Sequence, residues 1–256
     1  MSSRWCHIVV ALGSALALAL PSVEAHAQGV DEFGAYGMRR GERSESPQDA
    51  AVELRFGRYD PEPDSGLSAT PFQDYFGNDT RYLVGFEADW QLFRIPHFGS
   101  IGPGFGWGLT RFRGNARITE TGDVADTETR IWMMPMHLVA VARVDVLMRD
   151  LSIPFVPYGK LGFGYGLWWS SDGNKSAKVD GKSGKGASYG LTYALGLMFL
   201  LDILDPEDAA SADGLTGINN SYVFGEWYRP QLDGFGANDV LDISSSSWLL
   251  GVAIEM

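Results

Sequence analysis

Large apolar residues recur at every second position in eight stretches of the chain, each bounded by polar, turn-rich segments. Period-two alternation of this kind predicts β-strands with one apolar face. In the run 51–59, Val52, Leu54 and Phe56 oppose Glu53, Arg55 and Gly57. In 81–93, Tyr82, Val84, Phe86, Ala88, Trp90 and Leu92 oppose Gly85, Glu87, Asp89 and Gln91. The run 101–112 sets Phe105, Trp107 and Leu109 against Gly102, Gly104, Gly106 and Gly108. In 129–147, an apolar series from Trp132 to Val146 opposes His137, Arg143 and Asp145, and Pro135 predicts a bulge or local bend.

The runs 156–169 and 188–201 are the clearest, with Leu161, Phe163, Tyr165, Leu167 and Trp169 opposing Tyr158, Lys160 and three glycines, and Tyr189 to Leu201 opposing Gly190, Thr192, Ala194 and Gly196. In 220–228 two phases compete. Val223, Gly225 and Trp227 are assigned outward because the other choice sends Glu226 into an apolar solvent. The last run alternates Trp248, Leu250, Val252, Ile254 and Met256 with Ser247, Leu249, Gly251, Ala253 and Glu255, and reads as the terminal strand recognised during barrel assembly.

The apolar faces are too bulky to fit inside a barrel of this strand number. An eight-stranded barrel has an interior only just wide enough for side chains to fill. Six to eight large residues on several strands would overfill it, whereas the glycine-rich faces suit a narrow lumen. The apolar side therefore faces out, and lipid is the solvent that tolerates it. The expected fold is all-β: a closed antiparallel transmembrane β-barrel of about eight strands, with short periplasmic turns and longer extracellular loops.

If the first strand leaves the periplasm, connections 60–80, 113–128, 170–187 and 229–240 lie outside and 94–100, 148–155 and 202–219 inside. Within the last, 205–210 reads as a short helix with Pro206 in its first turn. Tyr59, Tyr82, Trp132, Trp169, Tyr189 and Tyr228 then fall near the outer interface as an aromatic girdle.

The ends of the chain set its destination. Arg4, the apolar stretch 8–20 and Ala25-His26-Ala27 form a signal-peptide pattern, so residues 1–27 are expected to be removed on export. Residues 28–50 are polar and aperiodic and read as a flexible lead, with the barrel spanning 51–256. The one cysteine, Cys6, lies in the signal, so the exported chain has no disulfide. The net charge of −12 is unchanged by the cleavage, which removes Arg4 and Glu24 together, and argues against nucleic acid as a partner.

Several runs, AVELRFGRYDPEPDSG (51–66), TPFQDYFG (70–77), VARVDVL (141–147), FVPYGKLGFGYGLWW (155–169) and WLLGVAIEM (248–256), resemble the myxobacterial-type outer-membrane β-barrel proteins. The likeness spans most of 51–256 and implies fold and location without an activity. The chain departs from the usual barrel-assembly signal by ending in Met256 rather than Phe. Partners implied by the barrel reading are outer-membrane lipid, lipopolysaccharide and the barrel-assembly machinery.

Candidate chemistry is confined to the lumen-facing charges Glu53, Arg55, Glu87, Asp89, Arg143, Asp145, Lys160 and Glu226. Buried at low dielectric, they must pair with one another, so they predict a structural plug rather than a path or a catalytic site. After cleavage only His97 and His137 remain, one in a turn and one in mid-strand. Neither forms a Ser–His pair at the outer rim, and two distant histidines make a poor zinc site, so no enzyme activity, cofactor or metal is expected.

Asp60, Glu62, Asp64 and Gly66 open like a calcium loop, but its twelfth position is Pro71, and a solvated loop is the better reading. Lys175, Lys178, Lys182 and Lys185 belong to a Gly/Ser-rich outer loop, for which contact with anionic lipopolysaccharide is the alternative and solvated flexibility the preferred reading. The expected role is a structural or surface-interaction barrel; alternatives are a narrow pore or small-molecule transporter and, with less support, a lipid-modifying enzyme.

Overall fold

The computed structural model describes residues 49–65, 70–77, 81–117, 124–172, 175–176, 178–179, 182–204, 209, 215–237 and 240–256. The signal segment, most of the lead and most of the helix expected at 205–210 lie outside the described residues. Eight strands carry the fold: β1 (Ala50–Arg58), β2 (Tyr82–Trp90), β3 (Gly99–Arg117), β4 (Val124–Arg143), β5 (Phe155–Asp172), β6 (Lys185–Leu200), β7 (Asn220–Gln231) and β8 (Ser247–Glu255). Each pairs antiparallel with its sequence neighbour, and β8 pairs with β1, so the sheet closes on itself. Closure removes both edges, which would otherwise expose unpaired backbone groups. The seam is finished by the N–H groups of Asp49 and Ala50, which donate to the Met256 carbonyl at 2.9 and 3.0 Å.

Among the described residues the connections carry the short helices α1 (Pro71–Phe76) and α2 (Val146–Arg149). Among the described residues no helix is long and apolar enough to cross a membrane. The connections after β1, β3, β5 and β7 meet at one end, called the long-connection end because it holds the longest (59–81), and those after β2, β4 and β6 at the other. The outer connection expected at 113–128 is corrected, since β3 and β4 stay paired as far as Arg117 with Val124 and leave only 118–123 between them, while 201–219 at the opposite end is long. At the latter a three-residue strand, Phe93–Ile95, pairs with the start of β3.

Two expectations for β4 are corrected. The strand ends at Arg143 rather than running on to residue 147: the Val144 N–H donates to the Pro157 carbonyl and the next residues coil into α2. Pro135 produces no bulge. Its register with β5 is continuous, and the pairing with β3 keeps one register from Met136 to Met133 across a gap, because proline has no N–H to donate there.

Outward positions are apolar and exposed around the wall: Leu54 and Phe56 on β1, Val84 on β2, Phe105 and Trp107 on β3, Leu138 on β4, Leu161 and Phe163 on β5, Leu195 on β6, Val223 on β7, and Trp248 and Leu250 on β8. Inward positions are small, charged or tightly packed. The glycines of β3 explain how long side chains fit inside: a Cβ on Gly104, Gly106 or Gly108 would meet Val141, His137 or Leu83 at under 3.0 Å.

Candidate functional site

The lumen is filled at three levels. At the long-connection end, Tyr59, Leu83, Phe112, Met133, Tyr228, Leu232, Ile243 and Leu249 form an apolar layer, closed from above by Phe76 of α1. The chain entering β8 folds back into the mouth to complete it. Ile243 is fully buried, its carbonyl accepts the Tyr59 hydroxyl at 2.6 Å, and Leu232 donates its N–H to the Ser244 hydroxyl at 2.8 Å. At the opposite end Met148 of α2 packs with Val156, Tyr158, Met198, Leu200, Tyr222 and Phe224. Beside this second layer the Glu255 carboxylate accepts from Gln91 at 2.7 Å, Tyr222 at 2.9 Å and Asn220 at 3.1 Å.

Between these layers lies the charge cluster. Glu53 on β1 and Glu87 on β2 stand directly opposite in the ladder, an arrangement that destabilises a sheet when both are ionised. Two cations bridge the pair. The Arg55 guanidinium reaches Glu53 at 2.6 Å and Glu87 at 2.8 Å, and Lys160, crossing the lumen from β5, reaches both at 2.7 Å. Glu226 on β7 closes the group, 3.1 Å from Lys160 and 3.3 Å from Arg55. Arg143 grips both oxygens of Asp89 at 2.6 and 2.7 Å and extends to Glu53 at 3.1 Å. All seven side chains are buried, and bidentate guanidinium–carboxylate geometry is the strongest pairing available to them.

The expected set thus contains one residue that does not belong. Asp145 lies outside the lumen, paired with Arg94 at 2.6 Å and with Arg149 at 3.0 Å. It falls past the end of β4, at the N-cap position of α2, where alternation no longer applies. Sequence reasoning placed His137 toward the lumen without a role; here its Nε2 meets the Glu87 carboxylate and its Nδ1 faces the Tyr228 hydroxyl at 3.4 Å. Glu255, which alternates inward with Ala253 and Gly251 along the last strand, had no place in the expected charge set.

The girdle residues divide. Tyr82 and Tyr189 are exposed outward, and Trp132 stacks on Trp169 on the outer wall with centroids 6.2 Å apart. Tyr59 and Tyr228 are corrected, since both point into the lumen, 0% and 3% exposed. Residue 59 shares the face of 53, 55 and 57, and 228 that of 222, 224 and 226, and β7 runs on past 228 to Gln231, so parity decides where both side chains point. On the terminal strand Trp248, Leu250 and Val252 are exposed, while Ile254 and Met256 are half-buried.

The remaining candidates disperse. Asp64 caps α1, accepting the N–H groups of Phe72 and Gln73 at 2.9 and 3.0 Å, while Asp60 pairs with Arg58 and Glu62 lies 3.9 Å from Arg229. The three carboxylates therefore do not converge as a calcium loop requires. His97 sits in a turn against Asp150. Lys185 is exposed; the side chains of Lys175, Lys178 and Lys182 lie outside the described residues. Glu53, Glu87 and Asp89 bring oxygens within 4.8 Å of one another, but Arg55, Lys160 and Arg143 already occupy that space.

Fold and interior together define a closed eight-stranded antiparallel barrel with an apolar wall and a filled, charge-paired lumen. Among solved structures the chain is similar to the outer membrane protein OprG from Pseudomonas aeruginosa, at 13% identity and a TM-score of 0.50, over 83% of this chain and 97% of that one. It is also similar to Ail, the attachment invasion locus protein of Yersinia pestis, at 14% identity and a TM-score of 0.42 over 82% and 97% of the two chains. Neisserial surface protein A follows at 13% identity and 0.37, over 81% and 96%. At such identity the OprG likeness speaks to fold, and it is the fold described above. No protein-family model matches the chain, and no curated protein matches it in sequence.

Proposed function

We propose that this chain is an integral outer-membrane barrel with a structural or surface-interaction role, which anchors its long connections at the cell surface. The observation that carries this reading is the inversion of polarity: exposed apolar side chains around the whole wall enclose a buried set of ion pairs. In water such a wall is far larger than the few hundred Å² of exposed apolar patch a soluble monomer tolerates. In a bilayer it is the expected exterior, and the closed ladder satisfies the backbone groups that lipid cannot.

The proposal includes export with loss of residues 1–27 and assembly through the terminal strand. The resemblance to the myxobacterial-type barrels agrees with that location. It assigns no catalysis, since one histidine is a turn residue and the other is enclosed in the charge cluster.

The filled lumen favours an anchor over a conduit. Apolar layers lie above and below the ion pairs, so a solute or hydrated ion would have to displace packed side chains at three successive heights. The full chain, folded in detergent and inserted into planar bilayers, is expected to give no stepwise conductance. Discrete, reproducible current steps would replace the anchor with a pore.

A further inference from the structure

At the long-connection end the registers define a single outward row. Arg58 lies opposite Tyr82, Arg111 opposite Trp132, Trp132 opposite Trp169, and Trp169 opposite Lys185. The β2–β3 register, in which Val84 meets Leu109, brings Tyr82 level with Arg111. Six adjacent strands therefore contribute one residue each to one continuous row, which climbs around the wall from Arg58 to Lys185 because the strands of a closed barrel are tilted. The row contains three bases and no acid, in a chain whose net charge is −12. One outward step toward the barrel's middle the positions are apolar, with Phe56 and Val84 exposed.

The centre of the row is held in place by ring contacts. The Arg111 guanidinium lies 5.1 Å from the Trp132 ring centroid, Trp132 and Trp169 are stacked with planes 9° apart, and Phe56 stacks on Tyr82 at 5.1 Å. Among the described residues neither Arg111 nor Lys185 has a carboxylate partner. Arg58 reaches Asp60 at 3.3 Å, but both are more than half exposed, and such pairs hold weakly.

Charge at the upper border of an apolar wall, interleaved with flat rings, matches a ligand that joins anionic groups, a saccharide and acyl chains. A guanidinium fork takes phosphate bidentately and an ammonium takes it as a point charge. With strands about 4.8 Å apart, Arg111 stands roughly 10 Å from Arg58 and about 14 Å from Lys185, a spread that suits separated anions on one molecule.

We propose that this row docks a phosphorylated glycolipid of the outer leaflet, of the bis-phosphorylated, acylated disaccharide class of lipid A. Arg111 and Lys185 receive phosphates, the Trp132–Trp169 stack receives a sugar face, and the apolar wall below takes the acyl chains. This rests on the outer-membrane reading above.

The test uses the full chain in phosphatidylcholine nanodiscs, with bound lipid counted by native mass spectrometry during titration with bis-phosphorylated lipid A or with the same lipid stripped of its phosphates. The phosphorylated form is expected to bind about tenfold more tightly. The double variant R111Q/K185Q, altered only at exposed positions, is expected to lose that preference, while R149Q, at the opposite end of the barrel, keeps it. Equal binding of the two lipids, or a preference retained in the double variant, overturns the docking proposal alone. Failure of the chain to enter nanodiscs overturns the membrane reading and this proposal together.

Discussion

Lys160 is the residue on which the interior depends most. Its ammonium lies within 3.1 Å of three carboxylates carried by three different strands, and it is itself buried. Removing one member of a buried ion cluster strands the others without compensation and costs about 3–5 kcal/mol. Lys160→Met is accordingly expected to lower the urea midpoint of unfolding, read by heat-modifiable gel mobility, by that order of stability. Adding Glu226→Gln to it is expected to recover part of the loss. An unchanged midpoint in Lys160→Met would mean that the carboxylates do not need the ammonium.

Single residues also show where position along a strand misleads. Tyr59 follows the last residue of β1 and Tyr228 lies within β7, both placed by their runs where aromatic side chains often mark a membrane interface, yet each falls on the inward parity and fills the mouth of the barrel.

Strands in this barrel are shaped by what their neighbours need inside. On β3 the inward glycines make room for His137, Glu87 and Leu83 from adjacent strands. Gly106→Ala would set a methyl 2.4 Å from His137 Nε2 and 3.0 Å from a Glu87 oxygen, so it is expected to destabilise by about 1–3 kcal/mol, as overpacked substitutions do. Gly225→Ala on the outward face of β7 meets only a Leu250 methyl at 3.6 Å and is expected to shift stability by under about 0.5 kcal/mol. Equal urea midpoints for the two variants would contradict the assignment of faces. The end of β4 shows the limit of periodicity at this scale. Alternation continues through Val144 and Val146, but that segment turns into α2 and its Met148 seals the lumen.

For the molecule as a whole, the decisive property is which side of the sheet meets lipid. Trp107 and Trp248 are outward, 41% and 70% exposed, whereas Trp168 packs against the apolar layer in the mouth. In bilayers of brominated phospholipid, Trp107→Phe and Trp248→Phe are each expected to reduce the fraction of tryptophan emission that is quenched, and Trp168→Phe to leave it the same or higher. The opposite pattern would turn the barrel inside out. A chain that stays monomeric in water without detergent would contradict the lipid-facing wall, since soluble monomers rarely expose apolar patches beyond a few hundred Å².

The alternation of side chains was enough to set the number of strands, their antiparallel order and the sense of each face, because a strand's period of two is a local property and only one face of these runs can enter a narrow cylinder. It also placed Glu53, Arg55, Glu87, Asp89, Arg143, Lys160 and Glu226 on the inward side. What it could not supply was height along the axis and the contacts that follow from it. That Glu53 faces Glu87, that Lys160 reaches across from β5, and that His137 meets the same carboxylate depend on strand register. Asp145 was misplaced because where β4 stops is decided by a tertiary hydrogen bond, Val144 to Pro157, which leaves no periodic trace in the chain, whereas Tyr59 and Tyr228 followed the inward parity of their runs and tertiary structure added only the layer that they fill, with Tyr59 donating to the Ile243 carbonyl.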